Sequence, residues 1–377
     1  MMEGFVNFSG TGSDNSTGGI ETYYKNRLKK VSEYIFFTKE NAKEFDTTDF
    51  LTKIYIQFFR RRIKNIFYRN HFDWYFQLYF AMKKKSKNLE IVEVADSFGY
   101  GIIPAILNIP FVVKMHTPHS SVCELNGWEK NKYYRIVKKI EKIALKKAEK
   151  IISPSKAMID FLVCNGWKMD LKKVFILNNG FYEKINLNQG KINKEKQILF
   201  VGNLEPRKNL FFVLSNFIKN ALFNNYTITI CGADSFIYEK KTGKSISYWE
   251  NCCEKLPAIK NNARVIYKGF VKNDEIQSFY KSAEFLIISS HCFENFPTVV
   301  LEAFQNGVVV IGSKIGGIPE MIENEKNGFL FEDNSDEDLI NAFNKAVTCN
   351  KELIIQTAFD KLNEINKQKE VPYEKKL

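Results

Sequence analysis

Short apolar runs separated by polar, helical periods recur along this chain. EIVEVAD, FVVKMH, KIISPS, VFILNN, QILFVGN, YTITICG, RVIYKGF, EFLIISS and VVVIGS each read as a strand, and each is followed by helix or loop signals. That alternation predicts parallel α/β structure. The runs are almost continuously hydrophobic, as expected when helices cover both faces of a sheet. Over residues 132–151 the apolar positions Ile136, Ile140, Ile143, Ala144, Ala148 and Ile151 keep a helical period, so an amphipathic helix is expected with Lys and Arg on its outer face. The polar, Asn-, Lys- and Gly-rich segment 180–196 marks a domain boundary. It separates an N-terminal domain over residues 1–185 from a C-terminal one over 195–377. The final stretch, KLNEINKQKEVPYEKKL, is polar enough to fray.

Length and charge refine this picture. At 377 residues with 45% apolar content the chain is long enough for two cores. Residues 1–190 hold 31 Lys+Arg against 19 Asp+Glu and so carry the whole net charge of +12, whereas residues 191–377 hold 24 of each. Two halves so different in charge suggest different partners. No apolar run reaches the roughly 18 residues that span a bilayer, and the N-terminus lacks a signal-peptide layout, so a cytoplasmic protein is expected. The seven cysteines are odd in number, and the only close pair, Cys252 and Cys253, is adjacent. They fit neither a disulfide framework nor a zinc site and read as reduced and structural.

The stretch of residues 289–333 holds the densest chemistry. Glu294 and Glu302 stand eight positions apart, with Pro297 at an expected helix start between them. The free N–H groups around Thr298 and Val299, with the positive end of the helix dipole, would form an anion site at the carboxyl edge of a parallel sheet. A diphosphate fits there, flanked by carboxylates that accept hydrogen bonds from hydroxyls; the same pair also fits a solvated helix start. Arg207 and Lys208 follow the strand QILFVGN and precede a helical run, where they could neutralise a departing phosphate or simply be solvated. In the N-terminal half, the loop SGTGSDNSTGGIE would let backbone amides approach a ligand, or serve as an ordinary turn. His116 ends the strand PFVVKMH and should either project from its carboxyl end, where α/β sheets bind ligands, or serve as a structural histidine.

Together these elements resemble the glycosyltransferase family 4 enzymes. The resemblance rests on GGIE near the start, HTP after a central strand, IEKIALKKAEKIISPSKAMIDFL, the NNG at Asn178, VGNLEPRKN, and FENFPTVVLEAFQNGVVVIGSKIGGIPEMI with its E-x7-E spacing. It implies the GT-B architecture of two facing Rossmann-like domains, with parallel sheets. It implies a nucleotide-sugar donor, UDP- or GDP-linked, on the C-terminal domain and a glycan or lipid-linked acceptor on the N-terminal one. The expected reaction retains anomeric configuration with no cofactor and no obligatory metal, in cell-surface polysaccharide, lipopolysaccharide or glycolipid synthesis. Carried over by position, Glu302 holds the donor ribose, Glu294 contacts the transferred sugar, Arg207 and Lys208 clamp the diphosphate, Gly19 brings an amide to the phosphates, and His116 lies beside the sugar. Two positions depart from the family pattern: Asn203 stands where many members have Arg, and Pro297 where glycine is common.

Residues 58–87, FFRRRIKNIFYRNHFDWYFQLYFAMKKKSK, interleave basic and aromatic side chains. They suit an anionic membrane surface, which would place the protein peripherally on the inner face of the membrane, or a core with solvated charges. A nucleic-acid module would use the same residues but leaves the neutral half and its glutamate pair without a purpose, so no nucleic-acid partner is expected. A dinucleotide-dependent oxidoreductase lacks its glycine fingerprint. A catalytically weak GT-B member that binds membrane or partner is the remaining alternative.

Overall fold

A computed structural model describes residues 2–6, 34–37, 50–128, 130–180, 194–239 and 244–368. Within them the chain forms two compact α/β units, one up to Leu177 and one over Asn178–Gln368. All nine apolar runs read from the sequence are strands.

In the first unit, β1 (Met2–Val6), β2 (Tyr34–Phe37), β3 (Leu89–Ala95), β4 (Phe111–Lys114), β5 (Lys150–Ser153) and β6 (Val174–Ile176) form one sheet in the order β2-β1-β3-β4-β5-β6. Every pair is parallel. Its strand order reverses between β1 and β3, so the carboxyl ends of these two flank the crevice of this sheet. Helix α1 (Ile66–Lys85) starts where the Asn65 side chain accepts the Tyr68 amide, and buries Tyr68, His71, Trp74, Tyr75, Leu78 and Met82. Helix α2 (Lys132–Lys147) is capped by Asn131, whose side chain accepts the amides of Tyr133 and Tyr134. The helix starts where the periodicity placed it but ends at Lys147, with Ile151 in β5, and its inward face keeps Ala144 while turning two of the expected isoleucines out. Tyr134, Val137, Glu141, Ala144 and Leu145 are buried, while Ile136 and Ile143 are exposed. A polar tether explains the rotation, because Glu141 faces inward to accept hydrogen bonds from Phe98 N (2.9 Å) and from Ser120 N and Oγ (3.3 and 2.5 Å).

In the second unit, β7 (Glu195–Val201), β8 (Thr227–Cys231), β11 (Val265–Gly269), β12 (Ala283–Ile288), β13 (Val309–Ser313) and β14 (Phe329–Phe331) form a sheet in the order β11-β8-β7-β12-β13-β14. A two-stranded hairpin, β9 (Phe236–Glu239) with β10 (Lys244–Ser247), is inserted after β8. Setting the hairpin aside, the sheet has the 3-2-1-4-5-6 order of dinucleotide-binding folds, with its switch point between β7 and β12. Successive strand residues serve opposite faces, which accounts for the unbroken apolar runs. Ile198, Phe200, Phe285 and Ile287 pack with α3 (Leu210–Lys219) and α4 (Asp336–Thr348). Leu199, Leu286 and Ile288 pack with α5 (Thr298–Gln305) and α6 (Lys351–Lys367). Helix α6 runs to Lys367 with Leu362 and Ile365 buried, so the expected fraying does not reach these residues despite their polar neighbours. At the two ends of this unit Asn178 N donates to Gln368 Oε1 (3.0 Å) and Gln368 Nε2 donates to Asn178 Oδ1 (2.6 Å).

Candidate donor site at the carboxyl edge of the second sheet

Beyond β7 the chain turns through a 3-10 segment, Pro206–Lys208, that ends on Asn209 in the left-handed region (φ 55°). Three contacts fix this turn to the loop after β12. His291 N donates to Arg207 O (2.8 Å), and Ser289 Oγ donates to Lys208 O (2.8 Å) and Asn209 O (3.2 Å). The two strands that flank the switch point therefore deliver their loops as one braced surface.

On that surface Glu294 gathers the cations. Its Oε1 accepts from Arg207 Nη1 (2.7 Å), Lys208 Nζ (2.5 Å) and Ser290 Oγ (3.0 Å), and Arg207 Nη2 also pairs with Glu205 (2.7 Å). No described donor reaches Glu294 Oε2. Burial alone would push the Glu294 carboxyl up, but Lys208 and Arg207 outweigh it and hold the group below its ordinary range. Arg207 is pushed further up by Glu294 and Glu205 against its own burial. Glu294 is thus a carboxylate at neutral pH, flanked by two cations that keep some access to solvent.

The backbone of Glu294 is pinned by the loop after β13. Gly317 N donates to Glu294 O (2.8 Å), and a Cβ on Gly316, whose φ is +57°, would lie 1.9 Å from that same oxygen. Only glycine fits there. A second tight approach joins the ends of β7 and β8, where a Cβ on Gly232 would lie 1.8 Å from Gly202 O.

Helix α5 begins three residues beyond Asn295. Pro297 is its N-cap, one position before the expected first turn, and offers no side-chain cap. The amides of Thr298 and Val299 donate to no described backbone group, so they and the helix dipole face the carboxyl edge unpaired. Glu302, one turn on, accepts from Tyr280 Oη (2.7 Å). Burial raises its pKa, and the Tyr280 hydrogen bond opposes the rise.

In the first unit His116 follows β4 and its amide donates to Asp96 Oδ1 (3.0 Å). Burial, and secondarily Lys114, pushes its imidazole down to about 3, so it is neutral at physiological pH. Gly19 lies outside the described residues. The structure therefore brings Arg207, Lys208 and Glu294 into direct contact, sets Thr298, Val299 and Glu302 on the adjoining helix, and leaves His116 on the other unit. Sequence reasoning missed Glu205, Ser290, Tyr280 and Gly316. The doubled glycine in SKIGGIPEM was the one available signal, since a strand end followed by Gly-Gly marks a close backbone approach. Among the described residues no group of His, Cys, Asp and Glu is arranged to hold a metal ion.

Two parallel α/β units, the second with its cations and unpaired helix amides at the switch point, define a protein of the GT-B fold class. Comparison with known proteins gives the family: residues 18–182 match Glycosyltransferase Family 4 and residues 182–361 match Glycosyl transferases group 1. The chain belongs to the group 1 glycosyltransferases, as its motifs implied. It is 28% identical to an uncharacterized glycosyltransferase of Methanocaldococcus jannaschii over 59% of this chain and 56% of that one. It is 26% identical to the lipopolysaccharide 1,2-N-acetylglucosaminetransferase of Salmonella typhimurium over 52% and 53%. The matches thus span a little over half the length of these relatives. Among solved structures, Anabaena HepE in complex with UDP and glucose superposes with a TM-score of 0.68 at 16% identity, over 97% of both chains. The lipopolysaccharide outer core galactosyltransferase WaaB superposes with a TM-score of 0.58 at 16% identity, over 97% of this chain and 99% of that one.

Proposed function

We propose that this protein transfers a sugar from a nucleoside-diphosphate sugar to a glycan or lipid-linked acceptor, with retention of anomeric configuration. One observation carries the reading: Arg207, Lys208 and the unpaired amides of Thr298 and Val299 converge on the switch point of the second sheet. Such a set suits a diphosphate, and Glu294 Oε2 and Glu302 are acceptors for sugar and ribose hydroxyls. As the bond from the anomeric carbon to phosphate oxygen breaks, charge builds on the leaving diphosphate, where Arg207, Lys208 and the helix terminus stabilise it. The acceptor oxygen bonds the anomeric carbon from the same face and passes its proton to the departing phosphate oxygen. No protein nucleophile is needed, and the two cations take the part a metal plays elsewhere. A neutral His116 suits a hydrogen bond to an uncharged hydroxyl. UDP is the nucleotide of first choice because HepE, of the same fold, is described with UDP and with UDP-glucose. Synthesis of surface polysaccharide or lipopolysaccharide is the setting proposed, after the Salmonella relative and WaaB.

The test is thermal unfolding against UDP, GDP, ADP and their sugar conjugates, together with donor turnover in the presence of a chelator. A ligand at about 100 times its dissociation constant adds roughly 2.7 kcal/mol, an easily measured shift. One nucleotide is expected to raise the melting temperature in the native protein and not in Lys208→Ala, which should also lose about 2–4 kcal/mol of transition-state stabilisation. A melting temperature indifferent to every nucleotide would sink the reading.

A further inference from the structure

The sequence left open whether the basic, aromatic stretch of the first unit is core or surface, and the structure divides it. Helix α1 turns Trp74, Tyr75, Leu78 and Met82 inward. The turn before it does the opposite: Phe58 and Phe59 stand 49% and 56% exposed, and at the helix start Ile66 and Phe67 stand 62% and 49% exposed. Arg61, Arg62 and Lys64 lie between these side chains and are also exposed.

Helix α2 extends this surface. Tyr133 at its first turn donates from Oη to Arg62 O (3.1 Å), and its ring packs on Tyr68. The outward positions along α2 include Arg135, Ile136, Lys139 and Ile143, which repeat the mixture of cation and aliphatic chain. Carboxylates are withdrawn from both elements. Asp73, the only acidic residue of residues 50–88, is held by Arg60 (2.9 Å) and Tyr55 Oη (2.8 Å). Glu141, the only one of α2, faces the interior. Glu124 beside that helix is paired with Lys138 at 2.6 Å.

From this juxtaposition we infer that the turn at residues 58–67 and the outer face of α2 form one docking surface for a bilayer rich in anionic lipid. Charge complementarity favours that occupant, because the cations are of one sign and dispersed around apolar side chains that can enter the headgroup boundary. A protein partner of ordinary kind would call for acceptors and a polar rim, and neither element offers an exposed carboxylate. No helix of the described residues is long and apolar enough to cross a membrane, so the contact is with the interface. The inference does not depend on sugar transfer.

Flotation of the full chain with vesicles tests it, comparing phosphatidylcholine alone with phosphatidylcholine holding about 30 mol% phosphatidylglycerol. Binding is expected to the anionic vesicles only. The variant Arg61→Ala/Arg62→Ala/Arg135→Ala/Lys139→Ala should lower partition on the order of 100-fold, and replacing only the three arginines by lysine, with Lys139 kept, should retain most of the native binding. Phe58→Ser/Phe59→Ser should lower it about tenfold and do so equally at high salt, where the charge-dependent part is screened. All substituted side chains are exposed, so circular dichroism and any nucleotide-dependent melting shift should match the native protein. Equal binding to neutral vesicles, no binding to either, or indifference to both variants overturns the inference. So does retention of single-stranded RNA through the same residues without vesicle binding.

Discussion

In Glu294→Gln the carboxylate shared by Arg207 and Lys208 becomes an amide of the same size, so the two cations lose their common partner while the loop keeps its shape. Stability without ligand should fall by about 1–3 kcal/mol, the usual cost of leaving partly buried charge less well paired. UDP should bind more tightly, because its phosphates no longer compete with Glu294, and turnover should fall. Thermal unfolding, calorimetric titration and a transfer assay read the three effects separately. Parallel losses of stability and UDP affinity would mark Glu294 as a prop of the loop alone. Gly316→Ala tests the support behind it. A methyl group there meets Glu294 O and forces an alanine into the left-handed region, which together should cost about 2–4 kcal/mol in denaturant unfolding. Weakened nucleotide binding should accompany that loss, since the displaced oxygen belongs to the residue that organises the cations.

At the scale of elements, buried titratable groups of the first unit make its stability depend on pH. Burial raises the Glu141 carboxyl from 4.5 to about 8 and Asp96 to about 7, with their hydrogen bonds opposing the rise. Between the unfolded and folded values the folded state holds protons that the unfolded state has released, so stability present at lower pH is lost as pH rises toward 8. Burial of His116 and His119 lowers them to about 3 and about 4, and there stability is lost as pH falls below 6.5. The melting temperature should therefore decline from about pH 6.5 upward, and less steeply in Glu141→Gln. An identical slope in that variant would remove Glu141 as the cause. The same residue shows what local pattern can and cannot tell. Nine strands were legible as apolar runs followed by helix or loop signals, whereas β2, β14 and the hairpin strands β9 and β10 were not read from the sequence. The helical period located α2 but assigned Ile136 and Ile143 inward, since nothing local announces that Phe98 N and Ser120 will reach Glu141 across 43 and 21 residues. Arg207, Lys208 and Glu294 were legible as parts of a motif. Tyr280 was not, because its bond to Glu302 depends on how α5 settles on the sheet.

For the molecule as a whole, the second unit is one continuous stretch, Asn178–Gln368, with helices on both faces of its own sheet. A fragment of these residues should fold cooperatively and keep the nucleotide-dependent melting shift, as followed by circular dichroism with and without UDP. A molten fragment would show that the unit leans on the rest of the chain. The reciprocal amide pair between Asn178 and Gln368 adds a consequence of another kind. Chain entry and chain exit lie within hydrogen-bonding distance, so the second unit has the geometry of a cassette whose ends meet. Such a cassette can be excised, circularly permuted or exchanged for that of a relative without stretching the host. On the proposed function, donor choice can then change by recombination separately from the rest of the chain.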